Sequence, residues 1–102
     1  MLATLGIADR VKDRIRNFPN GATSMREMAA AGGHPIGCTQ ATEILATPGI
    51  RLVAPLPRGF DLETTYTAAV DARSGNATLA GDFVARLTSS AGRAERKKLG
   101  FG

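Results

Sequence analysis

Apolar residues recur with the period of an α-helix in three stretches of this chain. In residues 5–15, charged side chains separate four apolar ones: Leu5, Ala8, Val11 and Ile15. A second, shorter stripe contains Met25, Met28 and Ala29. The longest stripe lies near the C-terminus and contains Leu79, Phe83, Leu87, Ala91 and Ala94. This spacing places the apolar side chains on one face, so it predicts three helices.

Turn and capping residues set the predicted limits of these helices. Asn20-Gly21 turns the chain before the second helix, which Thr23 or Ser24 can cap. The glycine pair at positions 32 and 33 ends it. The last helix begins at a cap, Ser74 or Asn76, and is expected to continue to about residue 99, where Gly100 stops it. A further short helix is predicted over residues 42–46, before Thr-Pro-Gly.

Short apolar or β-branched runs between these helices are typical of strands. They span four segments, Ile15–Phe18, Ile36–Cys38, Ile50–Pro55 and Glu63–Val70. Alternating helices and strands indicate an α/β fold, so we expect about four strands in a mixed sheet covered by three to four helices. The chain of 102 residues is short enough to form a single domain.

The start of the second predicted helix, called the central helix below, is a candidate binding site. In open α/β folds, the N-terminus of a helix beside a strand end carries free N–H groups that bind small anions. Here that position falls at residues 20–24, and the hydroxyl groups of Thr23, Ser24 and Thr39 are natural additional donors. The alternative is a capped helix start with a purely structural role.

The single cysteine and the single histidine restrict which disulfide, metal and catalytic sites the chain can form. A single cysteine, Cys38, excludes an internal disulfide and a metal site built from several cysteines. His34 lies four residues away, but no acid that could orient it is identifiable, so we predict no catalytic residue, no metal ligand, no cofactor and no enzymatic activity. His34 is expected in a surface loop, and Cys38 as a small core residue.

The net charge of +4 is concentrated near the C-terminus, in Arg93, Arg96, Lys97 and Lys98. No aromatic residue is interleaved with these cations, and cations also stabilise the last turn of a helix, so nucleic-acid binding is not predicted. No apolar run is long enough to span a membrane. The N-terminus shows no export signal, which predicts a cytoplasmic protein if Met1 is the natural start.

Several segments occur together in a characteristic order: LGIADRV, NGATSMREMAAAGGHPIGCTQATEI, PGIRLVAPLP, TTYTAAV and SGNATLAGDFVARLTSSAGRAERKKLGF. With them the chain resembles the C-terminal half of the substrate-binding proteins of molybdate-type ABC transporters, which have the type II periplasmic binding fold. The resemblance implies a small three-layer α/β lobe, in which residues 1–102 correspond to the second lobe and the C-terminal return segment. It also implies a periplasmic location. The role of the chain stays open between a sensor fragment, a gene remnant and the partner of a separately encoded first lobe.

The same resemblance implies a ligand and its contacts. In that family two lobes close on a tetrahedral oxyanion, which hydroxyl and backbone N–H groups hold without a counter-cation. One donor comes from the turn that opens the central helix and falls here on Ala22, with Gly21 and Thr23 beside it. Gln40 takes the place of the family's strand-end tyrosine. The implied ligand contacts are therefore Gly21, Ala22, Thr23, Ser24, Thr39 and Gln40.

Two functions remain open at this point. The first is a non-enzymatic binder of a small oxyanion or other polar solute, expected to be weak because half of a two-lobed site is exposed to water. The second is a self-associating protein without a ligand. In that case the faces formed by Leu79, Phe83 and Leu87 and by the TTYTAAV segment are buried in a homodimer.

Overall fold

The structure is a computed structural model that describes residues 1–102, and all of its regular secondary structure is helical. The chain forms two compact units, Met1–Asp61 and Leu62–Gly102. The first unit contains α1 (Ala8–Val11), a 3-10 turn (Lys12–Arg14), α2 (Gly21–Ala30) and α3 (Ala41–Leu45). The second unit contains α4 (Ala77–Thr88) and α5 (Arg93–Lys98).

The predicted α/β fold with a mixed sheet is wrong, because the chain contains no strand. All four segments that were predicted as strands lack regular structure, and Ile36, in the middle of one of them, is 98% exposed. An apolar, β-branched run records a side-chain preference for a half-buried surface. A strand also needs a neighbouring segment that supplies its ladder of hydrogen bonds. None of the four segments has such a neighbour in this structure.

The small core of the first unit lies where α2 packs against α3. Met25 of α2 is completely buried, and Ile44 of α3 is the other buried apolar residue. The loop between these helices passes over the methionines of α2. A methyl group placed on Gly37 would lie 2.6 Å from Cε of Met25 and 2.9 Å from Sδ of Met28. The loop therefore runs close over the two methionine side chains, and a larger residue at position 37 would require their flexible ends to move.

In the second unit, the predicted single helix is divided into α4 and α5 by residues 89–92. Ser89 leaves the helical conformation with ψ of 150°. Its hydroxyl donates to the carbonyl oxygen of Arg86 at 2.9 Å and accepts from the N–H of Gly92 at 3.2 Å. These local hydrogen bonds satisfy backbone groups at the helix end and stabilise the break.

Arg96 in α5 holds the end of α4. Its Nη1 donates to the carbonyl oxygen of Leu87 at 2.7 Å, and its Nη2 donates to that of Ser89 at 2.9 Å. Carbonyl groups at a helix C-terminus lack partners within the helix, so a guanidinium group is well suited to them in both geometry and charge. Polar contacts from Arg96 therefore connect α5 to the end of α4.

The predicted stop at Gly100 is confirmed. Gly100 has a φ of +90°, and its N–H donates to the carbonyl oxygen of Lys97 at 3.1 Å. The N–H of Phe101 donates to the carbonyl oxygen of Arg96 at 2.9 Å. This pair of hydrogen bonds is the Schellman motif, which favours glycine in the left-handed position.

Candidate functional site

The beginning of α2 is capped by Asn20. Its side-chain Oδ1 accepts a hydrogen bond from the N–H of Thr23 at 2.8 Å, and its carbonyl oxygen accepts from the N–H of Ser24 at 3.1 Å. The prediction of Thr23 or Ser24 as the cap is wrong, since both lie within the first turn of α2. Asn20 instead has the extended backbone that an N-cap requires, with φ of −157° and ψ of 164°.

This capping leaves two donors at the start of α2. The N–H groups of Gly21 and Ala22 make no hydrogen bond within the chain, whereas those of Thr23 and Ser24 are engaged. Both free groups lie in the first turn of a ten-residue helix, where the helix dipole favours negative charge.

A carboxylate approaches this same helix end. Thr39 donates a hydrogen bond from its hydroxyl to Oε2 of Glu43, and both side chains are partly buried. A methyl group placed on Gly21 would overlap the carboxylate of Glu43 and the hydroxyl of Thr39. A side chain at position 21 would require the carboxylate of Glu43 and the hydroxyl of Thr39 to move, so an internal anion lies beside the first residue of α2.

Gln40 is the N-cap residue of α3, with an exposed side chain. Its carbonyl oxygen accepts hydrogen bonds from the N–H groups of Glu43 at 3.1 Å and Ile44 at 3.2 Å. The structure thus places Thr39 beside Gly21, while Gln40 begins the neighbouring helix.

A shallow groove of about 340 Å³ lies between α2 and α3 and is open to solvent. Its lining residues are Ala22, Arg26, Thr42, Glu43, Ala46, Thr47 and Pro48. Of the predicted contact residues, only Ala22 lines this groove. Arg26 lies one turn after Ala22, and its guanidinium group donates to the hydroxyl of Thr23 at 3.3 Å.

Sequence reasoning missed both charged residues of this groove. The spacing of Arg26 four residues after Ala22 could have revealed it, because residues four apart share a helix face. Glu43 gave no comparable signal. In the sequence it is an acidic residue in a short predicted helix, and only the packing of α3 on α2 brings it to Gly21.

The structure does not bring the other candidate residues together in a catalytic or metal-binding arrangement. Cys38 is exposed, so the prediction that it is a core residue is wrong. His34 is exposed, as predicted for a loop residue. No group of three or more His, Cys, Asp and Glu side chains is placed to hold a metal ion. None of the helices combines the length and the apolar character needed to cross a membrane.

Comparison with protein families gives a match over the whole chain. Residues 1–102 match the family described as "Bacterial extracellular solute-binding protein". The chain belongs to this family. Comparisons with curated proteins and with solved structures find no match.

Membership of the solute-binding family agrees with the predicted class of function, which is binding of a small solute. In this solute-binding protein, the groove between α2 and α3 offers a solute two kinds of contact. Ala22 contributes a free N–H at a helix start, and Arg26 contributes a cation. Glu43 opposes them with a negative charge on the facing helix.

Proposed function

We propose that this protein is a non-enzymatic solute-binding module that takes a small oxyanion of the molybdate class at the start of α2. The proposed contacts are Gly21, Ala22, Thr23, Ser24, Thr39 and Gln40, with Arg26 added from the structure. As a member of an extracellular solute-binding family, the protein would act outside the cytoplasm, in the periplasm, with or without a separately encoded first lobe.

The observation that carries this proposal is the pair of free donors at Gly21 and Ala22. Backbone N–H groups at a helix start stabilise an anion without a counter-ion, because the helix dipole adds to their hydrogen bonds. Arg26 lies on the same groove as Ala22 and can form charge-assisted hydrogen bonds to two oxygens of an oxyanion. The hydroxyl of Thr23 is 3.3 Å from the guanidinium group and belongs to the same cluster of donors.

Two features limit the affinity. The groove is open, so water competes for every donor that an oxyanion would use. The carboxylate of Glu43 lines the same groove and repels an anion. We therefore expect dissociation constants in the millimolar range, about 4 kcal/mol of binding free energy.

Thermal denaturation in the presence of molybdate, tungstate, sulfate and phosphate tests this proposal. A ligand at ten times its dissociation constant stabilises the folded state by about 1.4 kcal/mol, which for a chain of this size corresponds to a rise of several degrees in Tm. Sodium chloride at matched ionic strength is the control. A Tm that responds equally to chloride and to all four oxyanions would refute specific binding.

Replacing Glu43 by glutamine is expected to tighten oxyanion binding about tenfold. The amide keeps an acceptor for the hydroxyl of Thr39 but removes a negative charge next to the proposed site. A tenfold change corresponds to about 1.4 kcal/mol, which lies between the interaction of two unit charges in bulk water and near a protein surface. Isothermal titration with the best oxyanion of the panel measures the change.

Glu27→Gln provides the matched control for that substitution. Glu27 is an exposed residue of α2 outside the groove, and its replacement changes the net charge by the same amount. If both variants gain affinity equally, overall charge governs binding and the groove does not. If neither gains affinity, the oxyanion does not bind beside Glu43.

A second candidate function is self-association. It is favoured by the exposure of three large apolar side chains on one face of α4, those of Leu79, Phe83 and Leu87. Apolar surface of this kind marks interaction sites in folded proteins. Light scattering after size exclusion tests it directly, since the monomer mass is 10.6 kDa and a homodimer has twice that mass. A monomer at all concentrations contradicts self-association.

A further inference from the structure

One face of α4 combines an apolar row with charges on a single flank. Leu79 is 70% exposed, Phe83 62% and Leu87 49%, and the three residues follow one another at intervals of four. Residues four apart form a continuous ridge along a helix surface. Within the second unit this ridge is uncovered, because all three of its large side chains remain exposed.

The charged flank consists of Asp82 and Arg86. Both residues are exposed, and neither joins the two ion pairs of the chain, which are Arg73–Asp71 and Lys98–Glu95. At about 100° per residue, Asp82 and Arg86 lie to the same side of Phe83. On the other side of Phe83 the corresponding positions are Ala80 and Val84, which carry no charge.

This one-sided arrangement discriminates between the two ways of pairing α4 with a second copy. In an antiparallel pair with two-fold symmetry, equivalent flanks of the two helices meet each other. In a parallel pair, each charged flank meets the uncharged flank of the other helix. Only the antiparallel pair brings each carboxylate to a guanidinium group and leaves no charge facing an apolar surface.

We propose that α4 forms an antiparallel homodimer in which Asp82 pairs with the partner's Arg86, and Arg86 with the partner's Asp82. This inference rests on the proposed self-association and specifies its geometry. Phe83 lies at the two-fold axis, and Leu79 packs against the partner's Leu87. Ridges of residues four apart pack into one another at a crossing of about −50°, which keeps both charge pairs next to the crossing point.

A charge-swap series on the full chain tests the pairing by sedimentation velocity at low salt. In Asp82→Arg and in Arg86→Asp, like charges meet across the axis, and each single variant is expected to raise the dimer dissociation constant at least tenfold. The double variant, Asp82→Arg with Arg86→Asp, restores opposite charges and is expected to return to within about threefold of the original value. An equimolar mixture of the two single variants is expected to form a heterodimer.

The single variants also separate the pairing from a simple effect of net charge. Asp82→Arg raises the net charge of +4 by two, and Arg86→Asp lowers it by two. If overall repulsion governed association, Arg86→Asp would strengthen the dimer rather than weaken it. Both side chains are exposed, so circular dichroism is expected to show unchanged helix content in every variant.

Three results would overturn the proposal in distinguishable ways. If the unmodified chain remains monomeric at several hundred micromolar, self-association itself is wrong. If it dimerises but the single variants dimerise equally well, self-association stands and the antiparallel pairing is wrong. The same holds if the double variant stays as weak as the single ones.

Discussion

Replacement of Met25 by alanine is expected to abolish the cooperative unfolding of the first unit. Met25 is the largest completely buried side chain, and Ile44 is the only other buried apolar residue. Truncation of a buried methionine costs about 2–5 kcal/mol, and a core of two residues has little stability in reserve. Circular dichroism during thermal denaturation measures the effect, with a fall in Tm of at least about 10 °C or loss of the transition expected.

Met28→Ala is the matched control for this substitution. Met28 belongs to the same helix and has the same side chain, but it is only partly buried. We expect a fall in Tm less than half as large. Equal effects of the two substitutions would show that the contact between α2 and α3 does not depend on Met25 in particular.

The core positions of α2 illustrate what periodicity can and cannot predict. The helical spacing of Met25, Met28 and Ala29 correctly indicated the side of the helix that packs, although Ala29 proved to be exposed. The predicted partner was a sheet, and the partner in the structure is α3 together with the loop at Gly37. Periodicity predicts which face of a helix or strand is buried, but it does not predict which segment packs against that face.

The wrong prediction of strands has a related cause: local sequence patterns do not show which segments lie next to one another in the fold. Val53, Ile36 and Leu62 all lie in or next to runs with the composition of strands, and all are highly exposed. Their composition favours a pleated, half-buried surface, but each run would also need a partner segment to complete its hydrogen bonds. Pairing between distant segments is a property of the whole fold, so local sequence patterns overestimate it.

The break between α4 and α5 shows that an apolar stripe does not predict where a helix is interrupted by a few residues. Ala91 and Ala94 continue the apolar stripe of α4 at helical spacing, which predicted one uninterrupted helix. Alanine gains little from burial. The serine at position 89 instead bonds to backbone groups and ends α4. Side-chain to backbone hydrogen bonds of this kind compete with the helix, and the stripe does not reveal them.

The backbone donors of the candidate site could be predicted from the sequence, but its charged side chains could not. Gly21 and Ala22 could be placed at a helix start from the local turn and capping residues alone. Glu43 reaches Gly21 only because α3 packs on α2, a contact between positions 22 residues apart that no local pattern contains. Its carboxylate determines how strongly the site can attract an anion. The part of the site that is set by tertiary packing therefore decides its affinity.

Replacement of Arg96 by alanine is expected to separate α5 from α4 and to destabilise the second unit by about 2–4 kcal/mol. The guanidinium group donates to the carbonyl oxygens of Leu87 at 2.7 Å and Ser89 at 2.9 Å. Hydrogen bonds from charged donors contribute about 1.5–3 kcal/mol each, and Arg96 is only partly buried, which reduces their sum. Hydrogen exchange followed by mass spectrometry is expected to show faster exchange in α4 and α5.

Two further substitutions separate the geometry of Arg96 from its charge. Arg96→Lys keeps the charge but cannot reach both carbonyl oxygens with a planar fork, so it should recover less than half of the lost protection. Arg93→Ala removes an exposed cation from the same helix that makes no side-chain hydrogen bond, and it should leave exchange in α4 unchanged. If Arg93→Ala and Arg96→Ala accelerate exchange equally, the end of α4 is stabilised by the total charge of α5. If lysine restores full protection, a single hydrogen bond is sufficient. Faster exchange that is confined to Arg96→Ala and only partly reversed by lysine is the result that the paired hydrogen bonds require.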